Sequence, residues 1–250
     1  MEQAYVTLKV ADKIGYIEFF TPNHNAMPSN ILKKLEETIN GAAQNDAIAV
    51  IVLKSGGDRT FCAGASLNEL ITIKDEKAGA LFFSGFANVI NTMRKCPKLI
   101  IGRVQGKAVG GGVGLAAATD YCLATQHASI KLSELSIGIG PFVIEPAVTR
   151  KIGLSAMSQL TINAEIFYTA NWAKDNGLFT EVFDTATDLD EAVNQLAVRL
   201  STYSPEAIKH IKTVFWENTQ HWDELLKKRA QISGKLVLST FTKNILNRFK

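Results

Sequence analysis

Apolar and polar residues alternate from Tyr5 to Phe20 about a break at Asp12-Lys13. Val6, Leu8 and Val10 stand two apart, as do Ile17 and Phe19 beyond the break, while Tyr16 and Glu18 face the other way. A period of two predicts a hairpin with one buried face. After an irregular polar loop, Thr21 to Met27, the period lengthens. Ile31, Leu32, Leu35 and Ile39 share one side of a helix that starts near Pro28. Ala47 to Leu53 is almost unbroken apolar sequence rich in β-branched residues, the pattern of a strand covered on both faces. A turn at 54–59 and a run of small residues within Thr60 to Leu70 precede a second helix, from about Lys77 to Arg94, that stops before Pro97. Leu99-Ile100-Ile101 is a further buried strand. The chain then breaks at Gly106, carries Gly110-Gly111-Gly112 and enters the small apolar run Val113 to Ala118, the opening of a buried helix.

Ser129 to Leu132 reads as a short strand, and Gly138 to Val143 as a loop. Helical periods dominate afterwards, with one strand candidate at Thr180 to Phe183. Asp188 and Glu191 form a capping-box-like pair ahead of Val193, Leu196 and Leu200. Ser204-Pro205 opens a helix with Ala207, Ile208, Ile211 and Val214 along one side. A further helix spans His221 to Lys228. Strand and helix in alternation predict an α/β fold with parallel pairing, and a C-terminal third that is mostly helical.

Composition narrows the function only slightly. The 250 residues carry a net charge of +3, too small to argue for nucleic acid. No run reaches transmembrane length and the first residues lack the basic and apolar regions of a signal peptide, so a cytoplasmic protein is expected. Cys62, Cys96 and Cys122 have no metal-type spacing and are odd in number, as expected of reduced thiols packed as small hydrophobes. His24, His127, His210 and His221 form no cluster, so no metal is expected. Trp172, Trp216 and Trp222 read as packing anchors. The last fifty residues are the most basic, with Lys209, Lys212, Lys227, Lys228, Arg229, Lys235 and Lys243 among them. A solvated helical face accounts for this, and a site for a phosphorylated ligand or a neighbouring subunit is the sharper reading.

The chemistry centres on Leu99 to Glu134. A strand, a glycine break and a helix N-terminus make an anion site, because the first N–H groups of a helix lack partners within it. Gly112-Val113-Gly114-Leu115-Ala116-Ala117, with Glu134 about twenty residues on, also fits a dinucleotide fingerprint. That reading leaves unexplained both the α/β segment of about a hundred residues that comes first and a second small-residue loop, Phe61-Cys62-Ala63-Gly64-Ala65. If the two loops lie side by side, one backbone N–H from each can hold a single carbonyl oxygen. Glu134 is then a general base beside an oxyanion hole.

Four motifs carry a resemblance to the crotonase superfamily, the enoyl-CoA hydratase/isomerase family. They are Asn25-Ala26-Met27, Phe61 to Leu67, Gly106 to Asp120, and Ser133-Glu134 with Gly138 and Pro141. The resemblance implies a crotonase-like α/β spiral of ββα units over residues 1–195 and a C-terminal helical trimerisation region over 196–250, in trimers or hexamers. It implies a coenzyme A thioester as substrate with no separate cofactor, no metal, and neither nucleic acid nor membrane as partner. Catalysis is assigned to Glu134 and the oxyanion hole to the N–H groups of Ala65 and Gly111. Asn25, Ala26, Ala63, Ser66, Leu67, Gly110, Gly114 and Phe142 are expected at the CoA or acyl site.

Two departures bear on the reaction. Hydratases of the family usually carry a first glutamate where this chain has Gly114. The loop after Gly138 is also bulkier than the family's glycine-rich form. Together with Ser133-Glu134 at the second glutamate site, these resemble a bacterial subgroup associated with 3-methylglutaconyl-CoA hydration in leucine and isovalerate breakdown. Hydration of a 2-enoyl-CoA is therefore the preferred expectation. Δ3,Δ2-enoyl-CoA isomerisation is the alternative that a single carboxylate favours, and a non-catalytic acyl-CoA binder is a third. Glu145 either replaces the absent carboxylate or serves a helix start.

Overall fold

The structure, a computed structural model, describes residues 3–249. Strand β1 (Tyr5–Ala11) and strand β2 (Ile14–Phe20) form the expected hairpin, paired antiparallel from Tyr5↔Phe20 to Ala11↔Ile14. Its two-residue turn, Asp12-Lys13, has φ of 50° and 63°. Both values lie in the left-handed region that a twist-matched hairpin turn requires.

The chain then winds between two sheets. Helix α1 (Ser29–Gln44) leads to β3 (Val50–Ser55) and β4 (Thr60–Cys62). Helices α2 (Leu67–Leu70) and α3 (Glu76–Lys95) lead to β5 (Ile100–Val104) and β6 (Lys107–Val109). Helix α4 (Gly111–Ala118) leads to β7 (Tyr121–Thr125) and β8 (Ser129–Lys131). Each turn places one strand in each sheet. The larger sheet has the order β1-β2-β3-β5-β7-β10, with β10 at Glu181–Phe183, and only β1 runs antiparallel to its neighbour. The smaller has the order β4-β6-β8-β9, with β9 at Tyr168–Thr169. This is a spiral of ββα units.

The buried faces follow from the period of two. In β3, Ile51 and Leu53 join the main core with α1, α3 and α4, whereas Val50 and Val52 point the other way. There they meet Leu189, Val193 and Ala197 of α7 (Ala186–Ser201). Thr185 caps α7, accepting from the Asp188 N–H, so the helix starts about a turn before the Asp188–Glu191 pair expected to open it. The boundary expected at 195/196 falls inside α7.

The remaining helices are α5 (Glu145–Ile162), α6 (Ala170–Asp175), α8 (Pro205–Phe215), α9 (Trp222–Leu236) and α10 (Thr240–Leu246). Helix α9 lies against α3 at backbone contact. A Cβ at Gly79 would stand 2.6 Å from the Gly234 carbonyl oxygen. Helix α8 is tied to the interior by charge. Lys212 and Asp120 form a 2.8 Å ion pair with side chains only 2% and 5% exposed. The same carboxylate accepts from Trp216 Nε1 at 2.9 Å and from the Ile100 N–H at 2.8 Å. With its lone pairs met from several sides, Asp120 is a satisfied buried charge.

All three cysteines are free and buried, and burial pushes the Cys62 and Cys122 thiols up to about 12. Among the described residues, no helix is long and apolar enough to cross a membrane and no cluster of side chains could hold a metal ion.

Candidate active site

The two small-residue loops meet as the sequence suggests, through a different pair of strands. They follow β4 and β6, which pair in parallel in the smaller sheet, rather than β3 and β5 of the larger one. A Cβ at Gly64 would lie 2.9 Å from the Val109 carbonyl oxygen and 3.5 Å from the Gly111 nitrogen. Gly64 has φ of +87°, so both its backbone angle and its clearance call for glycine.

The N–H groups of interest are set by this geometry. The Met27 N–H donates to the Gly64 carbonyl (2.8 Å), and the Met27 carbonyl accepts from the Ser66 N–H (3.1 Å). These bonds bracket Ala65 in a parallel bridge, so the Ala65 N–H faces away from Met27. Gly111 is the first residue of α4, and its N–H has no acceptor within the helix. Both residues line one cavity of about 260 Å³.

Glu134 enters this cavity from the far side. It begins a 3-10 turn (Leu135–Ile137) that Gly138 ends with φ of +81°. The residue as a whole is half-buried, but its Oε2 is sealed from solvent and has no hydrogen-bond partner. Loss of water around the carboxyl group pushes its pKa from 4.5 up to about 7, opposed in part by a bond from its own backbone N–H. Gly110, with φ of +51°, makes room for the carboxylate, since a Cβ there would stand 2.7 Å from Glu134 Oε1. Gly110→Ala is expected to displace that oxygen and lower kcat about tenfold. Steady-state kinetics check it, with circular dichroism confirming the fold.

The rest of the wall is mainly apolar. Phe83 and Phe86 come from α3, Leu70 from α2, and Ile137, Val143 and Ile144 from the segment after Glu134, while Ser233 arrives from α9. None of these was a site residue by sequence. The available signal was the aromatic pair at helical spacing on α3, which is equally the mark of a core helix. Two backbone donors facing one carboxylate across an apolar chamber can hold a developing oxyanion and move a proton next to it.

Ala63, Ala65, Leu67, Gly110, Gly111 and Glu134 are thus brought together at the cavity. Five expected site residues lie elsewhere. Asn25 turns inward: its Nδ2 donates to the carbonyls of Gly56 and Thr60 and its Oδ1 accepts from the Thr21 N–H. It pins the 56–60 loop, and Asn25 borders a separate cleft with His24 and Arg59. The Ala26 N–H closes a turn onto the Asn23 carbonyl. Ser66 caps α2 through the Glu69 N–H. Phe142 faces a groove on α5 with Leu154 and Met157. Gly114 lies beneath Ile144, whose Cγ2 and Cβ would stand 2.5 and 2.7 Å from a Cβ at position 114.

Glu145 is not a substitute acid for the cavity. It pairs with Arg229 and accepts from Thr149 Oγ1 in the first turn of α5. Arg229 also donates to the Phe142 carbonyl at 3.1 Å, so α9 clamps the 141–145 loop. Most other C-terminal lysines, including Lys209, Lys227, Lys228 and Lys235, are solvated, but Lys212 is not. The dinucleotide reading falls here, because Glu134 faces the glycine loop across an apolar chamber and the sheets form a spiral.

Comparison with known proteins agrees with this geometry. The family described as Enoyl-CoA hydratase/isomerase matches residues 9–246. The chain belongs to that family, within the crotonase superfamily. This hydratase/isomerase-family chain is similar to the peroxisomal Delta(3,5)-Delta(2,4)-dienoyl-CoA isomerase of Arabidopsis thaliana, at 27% identity over 85% of this chain and 82% of that protein. It is also similar to the mitochondrial methylglutaconyl-CoA hydratase of Mus musculus, at 30% identity over 67% of this chain and 53% of that protein. The crystal structure of an enoyl-CoA hydratase from Bacillus halodurans superposes with a TM-score of 0.91 at 20% identity, covering 98% of this chain and 99% of the other. The α/β spiral with helical C-terminal region is therefore the crotonase fold.

Proposed function

We propose that the chain acts on an enoyl-CoA thioester with Glu134 as its single acid/base, and that the favoured reaction is Δ3,Δ2 isomerisation. The observation that carries this reading is Ile144 standing over Gly114. The place where the family's hydratases usually carry a first glutamate is packed with a branched aliphatic side chain, and Glu134 is the only ionisable side chain among the described residues that line the cavity. The thioester oxygen sits between the N–H groups of Ala65 and Gly111. The Glu134 carboxylate takes a proton from C2, and the dienolate charge grows on that oxygen as the double bond shifts. The same carboxyl group returns the proton at C4, so no atom is gained or lost. A group with a pKa of about 7 is suited to both halves of this exchange near neutral pH.

Hydration of a 2-enoyl-CoA is the second reading, supported by relatives named as hydratases, such as the mouse protein. There Glu134 takes a proton from water as its oxygen adds at C3, and then protonates C2. One experiment separates the two. A 3-enoyl-CoA and crotonyl-CoA are each incubated with the enzyme and the products weighed by mass spectrometry. Isomerisation gives a product of unchanged mass that liquid chromatography resolves from the unreacted thioester, whereas hydration adds one water. We expect kcat/KM for isomerisation to exceed that for hydration by about tenfold or more, which is about 1.4 kcal/mol in barrier height. The reverse ratio overturns isomerisation as the main reaction. Inertness toward both substrates overturns the enzymatic reading and leaves an acyl-CoA binder.

A further inference from the structure

We propose that this cavity selects acyl groups that carry no charge, and that Ile144 is a specificity-determining residue at its acyl end. The proposal rests on the reading above that an acyl-CoA thioester places its acyl group beside Glu134. It runs against the expectation of a 3-methylglutaconyl substrate, whose acyl group ends in a second carboxylate.

The wall is the first observation. Leu70, Phe83, Phe86, Val143 and Ile144 enclose the space beside Glu134, and among the described residues the only polar side chains on it are Ser133, Glu134 and Ser233. Among the described residues no lysine, arginine or histidine lines it. A carboxylate brought here leaves water without a charged partner, which is costly in an apolar site. It also comes close to Glu134, and two carboxylates sharing one enclosure oppose each other's ionisation.

The second observation is where the neighbouring cations go. Arg229 stands behind the wall, but its guanidinium is committed to the Glu145 carboxylate and the Phe142 carbonyl. Lys243 lies on the far side of Leu70, in a different cleft with Ile71 and Val237. The third observation is Ile144 itself. It contacts both the cavity and the space over Gly114, and the Arg229–Glu145 clamp fixes the residues on either side of it.

The test is binding, which does not depend on turnover. Butyryl-CoA and succinyl-CoA have acyl groups of equal carbon count, one neutral and one carboxylated. Isothermal titration of the wild-type protein is expected to give a dissociation constant at least about tenfold lower for butyryl-CoA, or about 1.4 kcal/mol. In Ile144→Lys, which supplies a cation at the acyl end, the ratio is expected to move toward succinyl-CoA by about tenfold. Equal binding of both thioesters by the wild type overturns the proposal and leaves the acyl-CoA reading standing. Failure to bind either thioester overturns the acyl-CoA reading, and this proposal with it. A folded Ile144→Lys variant with an unchanged ratio removes Ile144 from the acyl end. If that variant does not fold, the wild-type ratio decides the charge selectivity and Ile144→Gly decides the residue's role. The preference of Ile144→Gly between butyryl-CoA and hexanoyl-CoA is expected to move toward the longer acyl group by about tenfold, and an unchanged preference removes Ile144 from the acyl end.

Discussion

Replacing Glu134 with glutamine is expected to lower kcat by about 10²–10⁴, the usual worth of a positioned acid/base, while acyl-CoA binding survives. The amide keeps the shape of the side chain but neither takes nor returns a proton. The N–H groups of Ala65 and Gly111 belong to the backbone and stay where they are. Wild-type kcat/KM should rise with pH through about 7 as the carboxyl group ionises, and the glutamine variant should lose that dependence. The same substitution has a signature in stability. The folded state holds the Glu134 proton more tightly than the unfolded chain does, so its stabilising contribution is full below about pH 4.5 and is lost as pH rises through about 7. At about 1.4 kcal/mol per pH unit, the ionised carboxylate costs the fold about 3 kcal/mol above neutrality. Glu134→Gln should therefore flatten stability between pH 5 and pH 8, measured by urea unfolding. Full activity in this variant on every enoyl-CoA would remove Glu134 from the chemistry.

Restoring the family's absent first glutamate is expected to fail on its own. In Gly114→Glu, the new Cβ meets Ile144 Cγ2 and Cβ at 2.5 and 2.7 Å, inside a helix whose eight residues are all buried. Overpacking of this kind costs about 1–3 kcal/mol, and an unpaired buried carboxyl group adds a similar amount. Together they predict a fall in Tm of about 10 °C or more for a chain of this size. Gly114→Glu combined with Ile144→Gly removes both clashing atoms. The double variant should recover much of the loss, so that the two changes are strongly non-additive. It should also gain hydration of crotonyl-CoA relative to Ile144→Gly alone. Additive thermal shifts would show that Ile144 is not what excludes a side chain at position 114. Gly111 is a less clean probe of the oxyanion hole, because a Cβ there runs into the ring of Phe86. Gly111→Val disturbs the core as well as the site.

The hairpin, β3 and the major helices were legible in the sequence because each is long enough to display its period. Val50 and Val52 against Ile51 and Leu53 show why an unbroken apolar run meant two covered faces. Strands β4 and β6 were not legible as strands. Three residues cannot show alternation, and both lie in stretches that read as turns and small-residue loops. Helix α8 starts where the sequence places it, but its spacing does not reveal which side is buried. Its spacing sets Ala207, Ile208, Ile211 and Val214 along one side, yet Ile211 and Val214 are 42% and 53% exposed and only Ile208 of the four is buried. The helix is turned so that Lys212 and Trp216 reach Asp120. The side that carries Lys212 is the buried one, and a lysine carries no local signal that it will be inside.

Of the residues assigned to the site from sequence, Gly110, Gly111 and Glu134 line the cavity, and Gly110 stands out for its φ of +51°. Ile144, Phe83 and Phe86 were not assigned to it, since their spacing is that of ordinary core. Asn25 pins a loop and Gly114 admits Ile144, structural contacts that no local pattern in the sequence announces.

Helix α9 also fixes when the chamber can exist during synthesis. Ser233 follows Glu134 by 99 positions, and at roughly 5–20 residues per second a ribosome needs about 5–20 s to cover that distance. For that interval Phe83 and Phe86 have no α9 beside them, and the loop carrying Ile144 has no Arg229 to hold it. A nascent chain therefore passes through a stage with a wider apolar trough where the finished protein has a cavity partly walled by α9. Apolar surface exposed during such an interval is what makes a partly synthesised chain prone to aggregate.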